Sequence, residues 1–101
     1  PPLPRLVPFV TTGEHGAKHV HIRNAGTAVA LGGAWRTEGR RDGLQVVRSG
    51  SSHLPERMEP DIEIEVAMAI YAFSNGPESR VSIVVEWTAE DGTPGSASLP
   101  L

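Results

Sequence analysis

Residues 62–71 read Ile62-Glu63-Ile64-Glu65-Val66-Ala67-Met68-Ala69-Ile70-Tyr71. The large aliphatic side chains fall on every second position: Ile62, Ile64, Val66, Met68 and Ile70, with Glu63, Glu65, Ala67, Ala69 and Tyr71 between them. A helix would scatter Ile62, Ile64 and Ile70 over several faces, whereas an extended chain puts all five on one. The stretch is predicted to be a half-buried strand. Residues 81–88 repeat the pattern: Val81, Ile83, Val85 and Trp87 alternate with Ser82, Glu86 and Thr88, and Val84 is the apolar exception on the outer side.

The same period runs outward from these two stretches. Lys18 to Asn24 sends Val20 and Ile22 one way and His19, His21 and Arg23 the other. Leu6 to Thr11 is short and interrupted by Pro8, which places it at a sheet edge. From Ala28 to Thr37, Val29, Leu31 and Trp35 share one parity, and Gly32-Gly33 marks a bulge or a close backbone approach. Leu44 to Arg48 and Ser96 to Leu101 complete the set, the latter turning Ala97, Leu99 and Leu101 inward.

Turn residues separate these runs: Asn24-Ala25-Gly26-Thr27, where Gly26 is expected to take a positive φ, then Arg41-Asp42-Gly43, Ser74-Asn75-Gly76-Pro77 and Asp91-Gly92. Ser49 to Asp61 is the longest polar connection and is expected to cross between sheets. About seven strands, with turn signals roughly every ten residues, predict an all-β, immunoglobulin-like antiparallel β-sandwich.

Composition narrows the function classes. With 101 residues and 39% hydrophobic content, the chain has room for one core. Residues 1–5, opening Pro1-Pro2-Leu3-Pro4, read as a linker to a domain over 6–101, and the chain is expected to be a piece of a longer protein. A net charge of −3, with basic residues scattered along the chain, offers no patch to neutralise phosphates, so a nucleic-acid partner is not expected. No apolar run is long enough to span a bilayer, so this segment is not expected to insert in a membrane. The absence of cysteine excludes disulfides and thiolate chemistry, and fits a reducing compartment and an exported domain equally.

Two segments carry a family resemblance. Val20-His21-Ile22-Arg23-Asn24-Ala25-Gly26-Thr27-Ala28 resembles the strand and turn "V-x-V-x-N-x-G-x-A" of the bacterial immunoglobulin-like modules known as CARDB domains. Met58-Glu59-Pro60-Asp61-Ile62-Glu63-Ile64-Glu65-Val66 is similar to that family's approach to a central strand, "L-x-P-G-x-x-x-x-V". Asp61 stands where the family usually has Gly, which fits a type I turn better than a type II. The resemblance implies a sandwich module in surface or membrane-associated proteins that acts as a spacer, interaction or adhesion-related unit and not as a catalyst.

Candidate chemistry is sparse. His19 and His21 lie two apart and project from one face, as a sheet would present two imidazoles to zinc or copper, with His15 or His53 as a third ligand. No carboxylate or cysteine is spaced to complete such a set, so both are read as ordinary exposed strand residues, and no metal or other cofactor is expected. Glu63 and Glu65 also share a face, and charged outer faces keep sheets soluble. Trp35 and Trp87 would serve sugar stacking if exposed, but parity places both inside. Ser49, Ser51 and Ser52 lie near His53 without any nucleophile motif, so no catalytic residue is assigned and the chain is not expected to be an enzyme.

Long loops on rigid sandwiches often carry contacts, so His53, Glu56 and Arg57 are the expected binding residues. The sequence thus reads as a non-catalytic interaction or spacer module of a larger bacterial protein, the soluble part of a membrane-associated or exported one, whose partner is a protein or a neighbouring domain. A carbohydrate-binding accessory domain is the alternative, and a histidine-based metal-binding domain the next.

Overall fold

The computed structural model describes residues 2–40, 44–71 and 80–101, the side chains of 15, 40, 44, 71 and 80 excepted. The turns expected at Arg41-Asp42-Gly43 and Ser74-Asn75-Gly76-Pro77 lie outside them. Among the described residues eight strands follow in chain order: β1 (Leu6–Thr12), β2 (Lys18–Asn24), β3 (Ala30–Arg40), β4 (Leu44–Ser49), β5 (Arg57–Met58), β6 (Glu63–Tyr71), β7 (Arg80–Thr88) and β8 (Pro94–Pro100). They form two antiparallel four-stranded sheets, β1-β2-β6-β4 and β5-β3-β7-β8. The protein is an all-β sandwich. Its core is Leu6, Val20 and Ile22 from the first sheet against Val85, Ile83 and Trp87 from the second, all buried.

Strand alternation holds throughout β7, where Val81, Ile83, Val85 and Trp87 are all buried. It fails halfway along β6. Val20 pairs with Ala67 but His21 pairs with Glu65, so Val66 is an extra residue and the parity reverses there. Ile64 and Val66 stay with the core, but Ala67 and Ala69 then turn inward. Met68, paired with His19 and Arg48, and Ile70, paired with Gln45, turn outward with those partners. Ile62, expected inside, is exposed just ahead of the strand. Two small residues facing in leave a hollow of about 60 Å³ between the sheets, lined by Val20, Trp35, Val46, Ala67, Ala69 and Leu101 among others.

A second reversal occurs in β3. Leu31 pairs with Thr88 and Ala34 with Glu86, leaving one residue too many at Gly32-Gly33, where Gly32 has φ +57. The bulge was expected; its effect is that Leu31 faces outward beside Arg57 and Thr88, while Trp35, opposite Val85, remains on the core side. Gly33 is favoured for a different reason. A Cβ there would stand 2.7 Å from Leu54 Cδ1.

The Asn24 turn closes one end of the sandwich. Asn24 is buried, and its Oδ1 accepts from the backbone N–H of Arg5 (3.2 Å) and Gly26 (3.0 Å). Its Nδ2 donates to the carbonyls of Ala28 (2.9 Å) and Met58 (2.8 Å). Residues 3–5, read as linker, are tied down here: Ala25 N–H donates to the Arg5 carbonyl and Thr27 N–H to that of Leu3. Gly26 is not among the glycines with positive φ; it is needed because a Cβ would lie 2.3 Å from the Leu3 carbonyl oxygen.

The turn at Pro60-Asp61 is also not the type expected. Ile62 N–H donates to the Glu59 carbonyl (3.2 Å), and Asp61, the third residue, has φ +69. That is a type II geometry, in which the position favours Gly. Asp61→Gly and Asp61→Ala both remove the carboxylate, but only Ala retains a Cβ in the left-handed region. The Gly variant is expected to be the more stable by about 1 kcal/mol, against the usual preference for Ala, as measured by urea unfolding.

Candidate functional site

The connection from Ser49 to Asp61 leaves the first sheet, runs along the open side of β3 in the second, and returns. It is not a free loop. Trp35 N–H donates to the Ser52 carbonyl (2.9 Å), Leu54 N–H to Gly33 (2.9 Å) and Gly32 N–H to Glu56 (3.1 Å), while β5 pairs with Ala30 and Leu31. Leu54 and Met58 plug into the core at either end of this irregular edge. The apolar spacing of those two residues was the available signal, and it was missed because Pro55 and the surrounding polar residues read as loop.

His53, Glu56 and Arg57, the expected binding residues, all stand exposed along that edge. His53 bridges Ala34 through its backbone, and its N–H donates to Ser51 Oγ (3.1 Å). Arg57 approaches Glu59 (3.7 Å), and Glu56 contributes its carbonyl to Gly32. The structure aligns the three on one edge without drawing their side chains to a common point. Ser51 and Ser52 spend their carbonyls on Trp35, through its Nε1 (2.8 Å) and backbone N–H respectively.

The outer face of the first sheet holds the other candidates. His19 Nδ1 lies 2.8 Å from Glu65 Oε1, and Arg48 Nη2 donates to the second oxygen of the same carboxylate at 2.7 Å. His21 is stacked on Phe9 (ring centroids 5.0 Å apart, 11° between planes), with Nε2 2.9 Å from Thr11 Oγ1 and Nδ1 3.5 Å from Glu63. Arg23 reaches Asp61 at 2.9 Å. Each histidine thus has its own partners from neighbouring strands. Among the described residues no group of three or more His, Cys, Asp or Glu is arranged to hold a metal ion. His53 belongs to the edge of the opposite sheet, and the side chain of His15 lies outside the described ones.

These pairs are cross-strand neighbours on an exposed surface, where each contributes little to stability. They have a measurable consequence in acid. Hydrogen bonds from His19 and then Arg48 hold the Glu65 carboxyl below its ordinary value of 4.5. Thr93, through its side chain and its N–H, does the same to Asp91. The unfolded chain therefore takes up these protons first as pH falls. The stability contributed by Glu65 is complete above about pH 4.5 and is lost on further acidification. Unfolding midpoints measured from about pH 6 to about pH 3 are expected to fall, and Glu65→Gln to flatten that slope.

Trp87 offers no open face of the kind sugar stacking uses. Trp87 is only 8% exposed, and Gly95 lies against its ring so closely that a Cβ would come within 2.6 Å of three of its atoms. Trp35 is partly buried against the core with its Nε1 bonded to the Ser51 carbonyl. On the opposite outer face, Arg36 bridges Glu38 (2.9 Å) and Glu86, and both carboxylates raise its pKa, Glu86 the more. No family model, curated protein or solved structure matches this chain.

Proposed function

We propose that this chain is a non-catalytic, immunoglobulin-like module of a larger bacterial protein, exported or membrane-associated, and that it spaces or presents the parts on either side of it. The observation that carries this reading is where the two ends of the domain lie. Leu6 pairs with Asn24, and Leu3 and Pro4 line one hollow with Trp87, Thr93 and Pro94, all at one pole. Pro100 pairs with Ser82, and Leu101 N–H donates to the Val81 carbonyl at the other.

An 11-residue strand such as β3 spans about 36 Å. Only the longest dimension of the 46 × 24 × 20 Å molecule accommodates it, so the strands run along that axis and the poles are its two ends. A chain that arrives at one pole and leaves at the other is lengthened by the whole domain. The immunoglobulin-like reading is supported by strand order: β1-β2-β6-β4 facing β3-β7-β8 follows the A-B-E-D and C-F-G arrangement of that sandwich, with β5 added beside β3.

The test is domain replacement within the parent protein. If the module is a spacer, an unrelated sandwich with its ends at opposite poles restores activity, and one with both ends at the same pole does not. If contact is the function, replacement fails, and the combined change His53→Ala, Glu56→Ala, Arg57→Ala abolishes partner capture while leaving the fold intact. Turnover of a substrate by the isolated domain would refute the proposal.

A further inference from the structure

We infer that the domain is a load-bearing link, in which tension between its two ends is met by strand ladders loaded along their length and not opened rung by rung. The inference deepens the spacer reading and rests on it for the setting in which tension would arise; the mechanical response belongs to the folded chain itself.

The argument follows from direction. Strand β1 starts at the pole of Leu6 and runs toward Thr12, and β8 starts at that same pole, at Pro94 opposite Thr88, and runs toward Pro100. The first strand and the last are therefore parallel in direction, and each belongs to a different sheet. Tension draws β1 out past the pole where it begins and β8 out past the pole where it ends. Each strand is thus pulled along its own axis, perpendicular to the hydrogen bonds that hold it, since ladder bonds run across the strands.

In that geometry the rungs share the load. β1 is held to β2 from Leu6↔Asn24 through Thr12↔Lys18, and β8 to β7 from Thr88↔Pro94 through Ser82↔Pro100. Between the two ladders the force passes through the interdigitated core, where Leu6, Ile22, Ile83 and Val85 are almost wholly buried. For either terminal strand to leave, all its rungs must slip together. Had the chain begun and ended at one pole, the same bonds would face the force one at a time.

The point where force enters is reinforced. Beyond the regular ladder, Leu3 and Arg5 are bonded to Thr27 and Ala25, and the Arg5 N–H to the side chain of Asn24, which the carbonyls of Ala28 and Met58 hold in turn. Gly26 permits this close approach of the two segments. The buried amide thereby joins the arriving chain to β2 and to β5, elements of both sheets.

The chain contains no cysteine, so attachment points are set by adding them. In one form, tethers are joined at Pro2→Cys and at a cysteine appended after Leu101, which pulls pole to pole. In the other they are joined at Pro2→Cys and Thr27→Cys, both exposed and at one pole, which peels β1 from β2 beginning at the open end of the hairpin. Forced unfolding is governed by the unfolding rate, and in optical tweezers at one constant force the pole-to-pole form is expected to open at least about tenfold more slowly. Equal rates, or faster opening pole to pole, overturn the inference. They would leave the spacer reading standing, since domain replacement tests that without reference to force. Urea unfolding of both tethered forms checks that they share one stability, so a difference in rate reports direction and not damage.

Discussion

Asn24→Ala is expected to remove about 3–4 kcal/mol of stability, because one buried side chain satisfies four backbone groups, buried at Met58 and part-buried at Arg5, Gly26 and Ala28. The Arg5 and Gly26 N–H groups lose their acceptor, and the Ala28 and Met58 carbonyls lose their donor. For a domain of this size the loss is a large share of the total, and the melting temperature should fall by about 15–25 °C. Asn24→Asp sharpens the test, since it keeps an acceptor but turns a carboxylate oxygen toward the two carbonyls. Burial and those carbonyls disfavour its charged form, so its folded pKa is raised. Stability of that variant is regained as pH drops, opposite in sign to the slope set by Glu65. Thermal unfolding followed by circular dichroism at several pH values reads both effects. A loss below about 1 kcal/mol for the Ala variant would mean that the turn holds without its amide.

Trp87→Ala is expected to cost about 3–5 kcal/mol, the range for removing a large aromatic ring from a packed core. The ring is enclosed by the core on one side and by Gly95 on the neighbouring strand. Gly95→Ala attacks the same contact from the other strand: the new Cβ would come within 2.4 Å of Cε2. The strand or the ring must shift, at about 1–3 kcal/mol. A Trp35→Phe background isolates the emission of Trp87, expected blue-shifted and shielded from a soluble quencher. Adding Gly95→Ala should move it to the red and expose it. The double variant Trp87→Ala, Gly95→Ala should cost less than the sum of the single changes, because the ring atoms are the nearest ones that the methyl group meets.

The sequence made the strands legible because alternation is a local property. β2 was bounded to the residue, and the inward face of β7 was named in full. What it concealed was the slip at Val66, and the effect of the one that Gly32-Gly33 does signal. Each is one residue too many against a partner strand, and which way it turns the neighbouring side chains is set by pairing, which no single strand contains. Hence alternation alone puts Met68, Ile70 and Leu31 inside, whereas their partners hold them outside. Asn24 was legible as a turn former through its bond to Gly26, but not as a hub, since Arg5 and Met58 reach it from distant parts of the chain. The type II turn was hidden in the same way. Asp61 alone suggests type I, and the positive φ comes with the surrounding bonds, from the Asp61 N–H to the Asn24 carbonyl and from the Ile62 N–H to that of Glu59. Of the candidate site, the exposure of His53, Glu56 and Arg57 followed from their polarity. The stitching of their backbone to β3 did not, because it depends on the bulge there.

The hollow beneath Trp35 has a consequence for how the molecule responds to compression. Unfilled space inside a folded protein disappears when the chain unfolds, so the folded form occupies the larger volume and hydrostatic pressure works against it. Ala67 and Ala69 place that space between β6 and β7, toward the pole where the chain departs, while the Asn24 pole is held by bonded groups. Squeezed in solution, the molecule should loosen first around Leu101 and Val46, and a valine at position 69 would raise the pressure it withstands.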